Sequence, residues 1–153
     1  MNKNLMQKLL EDMDLLRNSY AKKASHDFGN KKIMAIDDCA VTLNIINQFL
    51  RSSSNLSLEL YKDERAALKS FMQENPDVVI LDMNLGKLDG QTVALIMRNL
   101  SLFEVPIIFI SADYEKQAEI TKEYGERVTF LPKPLRKHSL ISALEEICTP
   151  AAA

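Results

Sequence analysis

The chain has 153 residues, 46% hydrophobic and 26% charged, the make-up of one ordinary globular domain with a helical appendage to spare. Its formal net charge of −2 lacks the basic excess of a nucleic-acid binder, and two distant cysteines with two histidines exclude a disulfide framework, a Cys-x-x-Cys site and a multi-histidine zinc site. No signal-peptide core or membrane-length apolar run occurs, so the expected location is the cytoplasm, with neither nucleic acid nor membrane as partner.

The first predicted element is a helix. Met6, Leu9, Met13, Leu16 and Tyr20 are spaced 3, 4, 3 and 4, with Leu5 and Leu10 beside them, an a/d seam of just over two heptads. The periodicity then stops, so residues 1–31 read as an amphipathic helix and linker, with more basic than acidic side chains. So short a helix is marginal alone in water, and its apolar stripe needs cover. Its own domain, a second copy forming a homodimer, or a separate protein could each supply it.

From Lys32 to Cys148 short apolar runs alternate with helical patterns. Ile33-Met34-Ala35-Ile36 precedes Val41, Ile45, Ile46 and Phe49 at helical spacing. Leu56, Leu58 and Leu60 alternate with polar neighbours, and a helix is predicted from about Glu64 to Gln73. Val78–Leu81 leads to Val93, Ile96, Met97 and Leu100. Ile107–Ile110 leads to a more polar helix over 114–124, which has only Tyr114, Ala118, Ile120 and Tyr124 to bury. Val128–Leu131 leads to Leu140, Ile141, Leu144 and Ile147. Residues 149–153 form a short tail.

Five β-α units call for an α/β fold, a doubly wound parallel sheet with helices on both faces. Runs 1, 3 and 4 are apolar throughout, as for strands covered on both sides. Runs 2 and 5 alternate or nearly so, which makes them edges. Right-handed crossovers then permit the five-stranded order 2-1-3-4-5.

In such a sheet the ligand crevice lies beyond the carboxyl ends of the strands. The residues just past the runs are Asp37 and Asp38, Asp82, Ser111 and Ala112, and Lys133. Asp37-Asp38 alone would pass for a helix cap, and Ser111 alone likewise. Together, three carboxylates in one crevice repel and need a hard cation; magnesium with Asp37, Asp38 and Asp82 is the natural remedy. One carboxylate can then attack phosphorus and form an acyl phosphate, with Lys133 and Ser111 placed to meet the phosphoryl oxygens.

Asp37-Asp38, Asp82 with Met83-Asn84-Leu85-Gly86-Lys87-Leu88-Asp89-Gly90, Ile110-Ser111-Ala112 and Leu131-Pro132-Lys133-Pro134 resemble the receiver domain of bacterial two-component response regulators. The resemblance spans residues 32–148 and is to stand-alone, chemotaxis-type receivers. It implies that Asp82 is the phosphoacceptor for a sensor histidine kinase or phosphotransfer protein. It implies that Asp37 and Asp38 are the acidic pair, with Asp38, Asp82 and the backbone carbonyl of Asn84 holding Mg2+. Lys133 would pair with the phosphoryl oxygens, ahead of a cis Lys133–Pro134 peptide. Ser111 and Phe130 match the switch pair, and Asn84 and Asp113 match positions that tune phosphoryl lifetime.

Two departures stand out. Gly86 sits where many receivers carry proline, which leaves the loop less restrained, and Phe130 lacks the hydroxyl of a tyrosine switch. The 149–153 tail carries no helix-turn-helix pattern, and no output domain is expected. The expectation is therefore a response regulator, not an enzyme, whose output is contact with a downstream protein through its helix 4–strand 5–helix 5 face. The alternative is a phosphorylation-independent receiver-like scaffold acting through the N-terminal helix. A haloacid-dehalogenase-type hydrolase is disfavoured because Asn84 stands where a second acid is needed, and a flavin binder because Asp37-Asp38 would repel its phosphate. Cys39 and Cys148 are expected to be buried and inert.

Overall fold

The computed structural model describes residues 7–15, 30–51, 56–101, 104–113, 115, 117–124 and 127–148. Five strands, β1 (Lys32–Ile36), β2 (Ser57–Tyr61), β3 (Val78–Asp82), β4 (Ile107–Ser111) and β5 (Val128–Pro132), alternate with five helices. The helices are α1 (Ala40–Leu50), α2 (Glu64–Glu74), α3 (Gly90–Leu100), α4 (Gln117–Tyr124) and α5 (Lys137–Cys148). The sheet is parallel in the order β2-β1-β3-β4-β5, so the doubly wound architecture read from the sequence is the observed one.

Every residue of β3 and β4 is buried, as their unbroken apolar runs require, whereas β2 and β5 are mostly half-buried edges. Because strand side chains alternate in direction, the sheet divides the core in two. Ile33, Ala35, Val78, Ile80, Ile108 and Ile110 face α1 and α5, meeting Leu43, Ile46, Leu140 and Leu144. Met34, Ile36, Val79, Leu81, Ile107 and Phe109 face α2, α3 and α4, meeting Phe71, Val93, Met97 and Ile120. Ile108 is fully buried in the first layer. Ile108→Ala is expected to cost about 3 kcal/mol, read as a lower urea midpoint with an unchanged slope.

Local signals set the helix ends. Asp63 caps α2 by accepting the Arg65 N–H at 2.8 Å, and Asp89 caps α3 through the Thr92 N–H at 2.7 Å. Asn75 closes α2 in the left-handed region at φ 46°, just before Pro76.

Three expectations are corrected. Cys39 is exposed, because it occupies the N-cap of α1 rather than the core. Thr42, through its backbone N–H and then its hydroxyl, and the Val41 N–H favour the thiolate of Cys39 and hold its pKa below the ordinary thiol value. Cys148 is half-buried, and burial pushes its thiol up. In α4, Ala118 is exposed and Ile120 anchors the helix; Tyr114 and the Tyr124 side chain lie outside the described residues.

Residues 7–15 form the N-terminal helix. Leu9, Leu10 and Leu15 are 51%, 55% and 67% exposed, and Met13 is half-buried. Leu5, Met6, Leu16 and Tyr20 of the predicted seam, and the 149–153 tail, lie outside the described residues.

Candidate functional site

The carboxyl ends of four neighbouring strands deliver the predicted residues to one place. Asp37 follows β1 and is held there by its N–H, which donates to Tyr61 O at 3.0 Å. Asp82 is the last residue of β3, and Met83 N–H reaches Ile110 O at 3.0 Å. Ser111 ends β4, and the Lys133 N–H donates to its carbonyl at 3.0 Å. These parallel-ladder bonds past the strand ends fix the spacing of the site.

Carboxylate oxygens of Asp37, Asp38 and Asp82 lie within 4.8 Å of one another. Asp37 and Asp82 are buried, while Asp38 is exposed at the mouth. Lys133 Nζ stands between the two buried acids, 3.2 Å from Asp37 Oδ2 and 3.3 Å from Asp82 Oδ2. Asp37 Oδ1 accepts the Cys39 N–H at 2.8 Å. Asp37 Oδ2 faces the ammonium as an ion pair without hydrogen-bond alignment, which leaves a buried lone pair unfilled. Asp82 Oδ1 accepts the Asn84 N–H at 3.2 Å.

The electrostatics follow from this crowding. Burial pushes the Asp82 carboxyl above the usual carboxylate range; the Asn84 N–H opposes it, the charge of Asp37 adds to it, and Lys133 opposes it. Partial burial works against the Lys133 ammonium, but Asp37 and Asp82 outweigh it and hold its pKa above the ordinary lysine value. The Lys133 ammonium thus pairs with two of the three clustered carboxylates. An all-oxygen donor set with an unfilled buried lone pair fits a hard divalent cation.

Ser111 Oγ is turned to the following loop, where it accepts the Asp113 N–H at 2.9 Å and lies 3.2 Å from Asp113 O. Asp113 is exposed, and its carboxylate accepts the Glu115 N–H at 3.0 Å. Phe130 is half-buried on β5 and stacks on Phe109 with ring centroids 5.3 Å apart. The Lys133–Pro134 peptide is cis, as expected.

The family model of the response regulator receiver domain matches residues 33–145. The chain belongs to the response regulator receiver domain family. A protein-glutamate methylesterase/protein-glutamine glutaminase of Methylobacillus flagellatus is 30% identical to this receiver over 118 residues, 75% of the chain and 32% of that protein. A Vibrio cholerae protein of the same description is 32% identical over 106 residues, 67% of the chain and 29% of its own length. The receiver chain thus spans about a third of the curated relatives it matches.

Among solved structures, the Vibrio cholerae chemotaxis protein CheY4 matches at a TM-score of 0.69 and 24% identity, covering 78% of this chain and 99% of that one. A CheY-like receiver domain protein of Methanospirillum hungatei matches at 0.69 and 16%, over 78% and 94%. These two likenesses show the fold. No helix among the described residues is long and apolar enough to cross a membrane.

Two further residues of the receiver were not singled out from the sequence. Gly90 begins α3 against the backbone of Asp82: a Cβ there would collide with Asp82 O and come within 2.8 Å of Met83 Cα. Glycine directly after the capping Asp89 was the available signal. Glu64, at the start of α2, is buried and accepts the N–H groups of Lys87 and Leu88. Its partners are more than twenty residues away, so local sequence carries no sign of it.

Proposed function

We propose that this receiver is a phosphoacceptor in two-component or phosphorelay signalling, with Asp82 taking a phosphoryl group from the phosphohistidine of a sensor histidine kinase or phosphotransfer protein. The observation that carries the reading is Lys133 Nζ poised between Asp37 and Asp82 inside a cluster of three carboxylates. Asp38, Asp82 and the Asn84 carbonyl are the residues to hold Mg2+, with Asp37 behind them. Bound there, the ion would neutralise the crowded carboxylates and the phosphoryl oxygens.

An Asp82 carboxylate oxygen attacks phosphorus, a P–O bond forms, the P–N bond to the donor breaks, and the freed imidazole recovers its proton. Lys133 exchanges a carboxylate partner for a phosphoryl oxygen. Ser111 leaves the Asp113 backbone to donate its hydroxyl to the same group, and Phe130 repacks on Phe109 as that hydroxyl moves. Asn84 and Asp113 flank the acyl phosphate and govern the approach of hydrolytic water.

The output is a changed α4–β5–α5 face presented to a downstream protein. Ile120 is the only residue of α4 in the core among those described, so a small differential energy at the phosphate can bias that helix. The exposed Leu9, Leu10 and Leu15 favour a second role for the N-terminal helix, as a homodimer or docking surface. The methylesterase and glutaminase activities named for the relatives are not part of this reading.

Acetyl phosphate with Mg2+ is expected to add one phosphoryl group by intact mass, and none in EDTA. Absence of both this adduct and a beryllofluoride complex would overturn the reading in favour of a phosphorylation-independent scaffold acting through the N-terminal helix.

A further inference from the structure

Glu64 is the first residue of α2, next to a capping aspartate, a position that ordinarily points a carboxylate into water. Instead it is only 5% exposed. Its Oε1 lies 3.0 Å from the backbone nitrogens of both Lys87 and Leu88. Two consecutive N–H groups converging on one oxygen form an anion-holding concavity, and the occupant is a side chain from another element. Its own backbone N–H, and then those of Leu88 and Lys87, outweigh burial and hold the carboxyl below the usual range.

Lys87 and Leu88 lie in the segment that joins Asp82 to α3. The near end of that segment is fixed by the Asn84 N–H on Asp82 Oδ1 at 3.2 Å and the Met83 N–H on Ile110 O at 3.0 Å. The far end is fixed by the Gly90 N–H on Met83 O at 2.9 Å. Between them sits Gly86, where a Cβ would meet nothing within 4 Å. A glycine in open space leaves the middle of the loop free to move unless something grips it from outside. Glu64 does so.

We infer that Glu64 is a positioning residue for the phosphoacceptor site: by gripping the loop at Lys87 and Leu88 it keeps the Asn84 carbonyl where the metal is held. The inference rests on the magnesium-dependent reading above. It assigns to a charged hydrogen bond from α2 the restraint that Gly86 does not provide, and it ties the site to an edge of the sheet with no ligand of its own.

The test compares wild type, Glu64→Ala and Glu64→Gln, each with and without Gly86→Pro. Mg2+ affinity is read from backbone-amide NMR titrations well below the melting temperature, and loop opening from hydrogen exchange at Lys87 and Leu88 in the metal-free protein. Loss of this outer support is expected to weaken Mg2+ binding about tenfold in Glu64→Ala. The two amides should exchange faster, and Glu64→Gln, which keeps an acceptor but no charge, should fall between. Gly86→Pro should recover most of the Mg2+ affinity in Glu64→Ala.

Unchanged Mg2+ affinity in the folded Glu64 variants, or no recovery with Gly86→Pro, would overturn the inference and leave Glu64 a purely structural tie. Should Glu64→Ala fail to fold, Glu64→Gln decides by the same readouts. A wild-type protein that binds no Mg2+ would overturn the phosphoacceptor reading itself, so the two failures are told apart.

Discussion

Asp82→Asn is expected to abolish the phosphoryl adduct and, at neutral pH without metal, to raise the melting temperature. The first effect follows because an amide oxygen cannot act as the carboxylate nucleophile. The second follows from the raised pKa of Asp82, caused chiefly by burial. A carboxyl whose folded pKa lies above its ordinary 3.8 binds its proton more tightly in the folded chain than in the unfolded one. Stability is therefore lost as pH rises from the unfolded value through the folded one. Asparagine resembles the protonated form and avoids it.

The gap between the two proteins should accordingly narrow as the pH is lowered toward 3.8. Mg2+ should reverse the order at neutral pH. A ligand at a hundred times its Kd stabilises by about 2.7 kcal/mol, and Asp82→Asn, lacking a ligand carboxylate, should gain less. Thermal melts at two pH values, in EDTA and in Mg2+, read all of this. A lower melting temperature for Asp82→Asn in EDTA at neutral pH would mean that Lys133 more than compensates the buried charge.

Gly90→Ala should destabilise the fold by about 2 to 3 kcal/mol, although alanine is the better helix former by about 1 kcal/mol. The sign reverses because the new methyl meets only backbone. It would collide with Asp82 O, lie 2.8 Å from Met83 Cα and lie 3.1 Å from Asp82 C, none of which can swing aside. Moving them displaces Asp82, the proposed acceptor, so phosphorylation should slow as well. Gly86→Ala is the control, since nothing lies within 4 Å of its Cβ. Urea unfolding of the two variants should give a large loss for Gly90 and little change for Gly86.

The strand order was legible because burial on one face or two leaves different patterns, and Val78–Leu81 and Ile107–Ile110 read as central where Leu56–Leu60 did not. The candidate site was legible because the topology sends the carboxyl ends of β1, β3, β4 and the edge strand β5 to one crevice, which is where Asp37, Asp82, Ser111 and Lys133 stand. What escaped depends on geometry between segments distant in sequence. Glu64 meets Lys87 and Leu88 only once α2 has packed beside the loop after Asp82. Cys39 was misjudged because residue type suggested burial, whereas its place at the start of α1 decided exposure. Ala118 was misjudged because a helix with one deep anchor does not need a second.

The division of the interior by the sheet bears on how a signal could travel. Met83, Leu85 and Leu88 of the loop after Asp82 share one apolar compartment with Phe109, Phe130 and the α4 anchor Ile120. The helices α1 and α5 belong to the other compartment. A shift of the loop is therefore expected to reach α4 through this shared packing, whereas the hydrogen-bonded sheet stands between the loop and α5. A partner that grips both helices beside β5 would hold the molecule across this boundary, with one contact on the compartment that shares the loop's packing and the other on the compartment that does not.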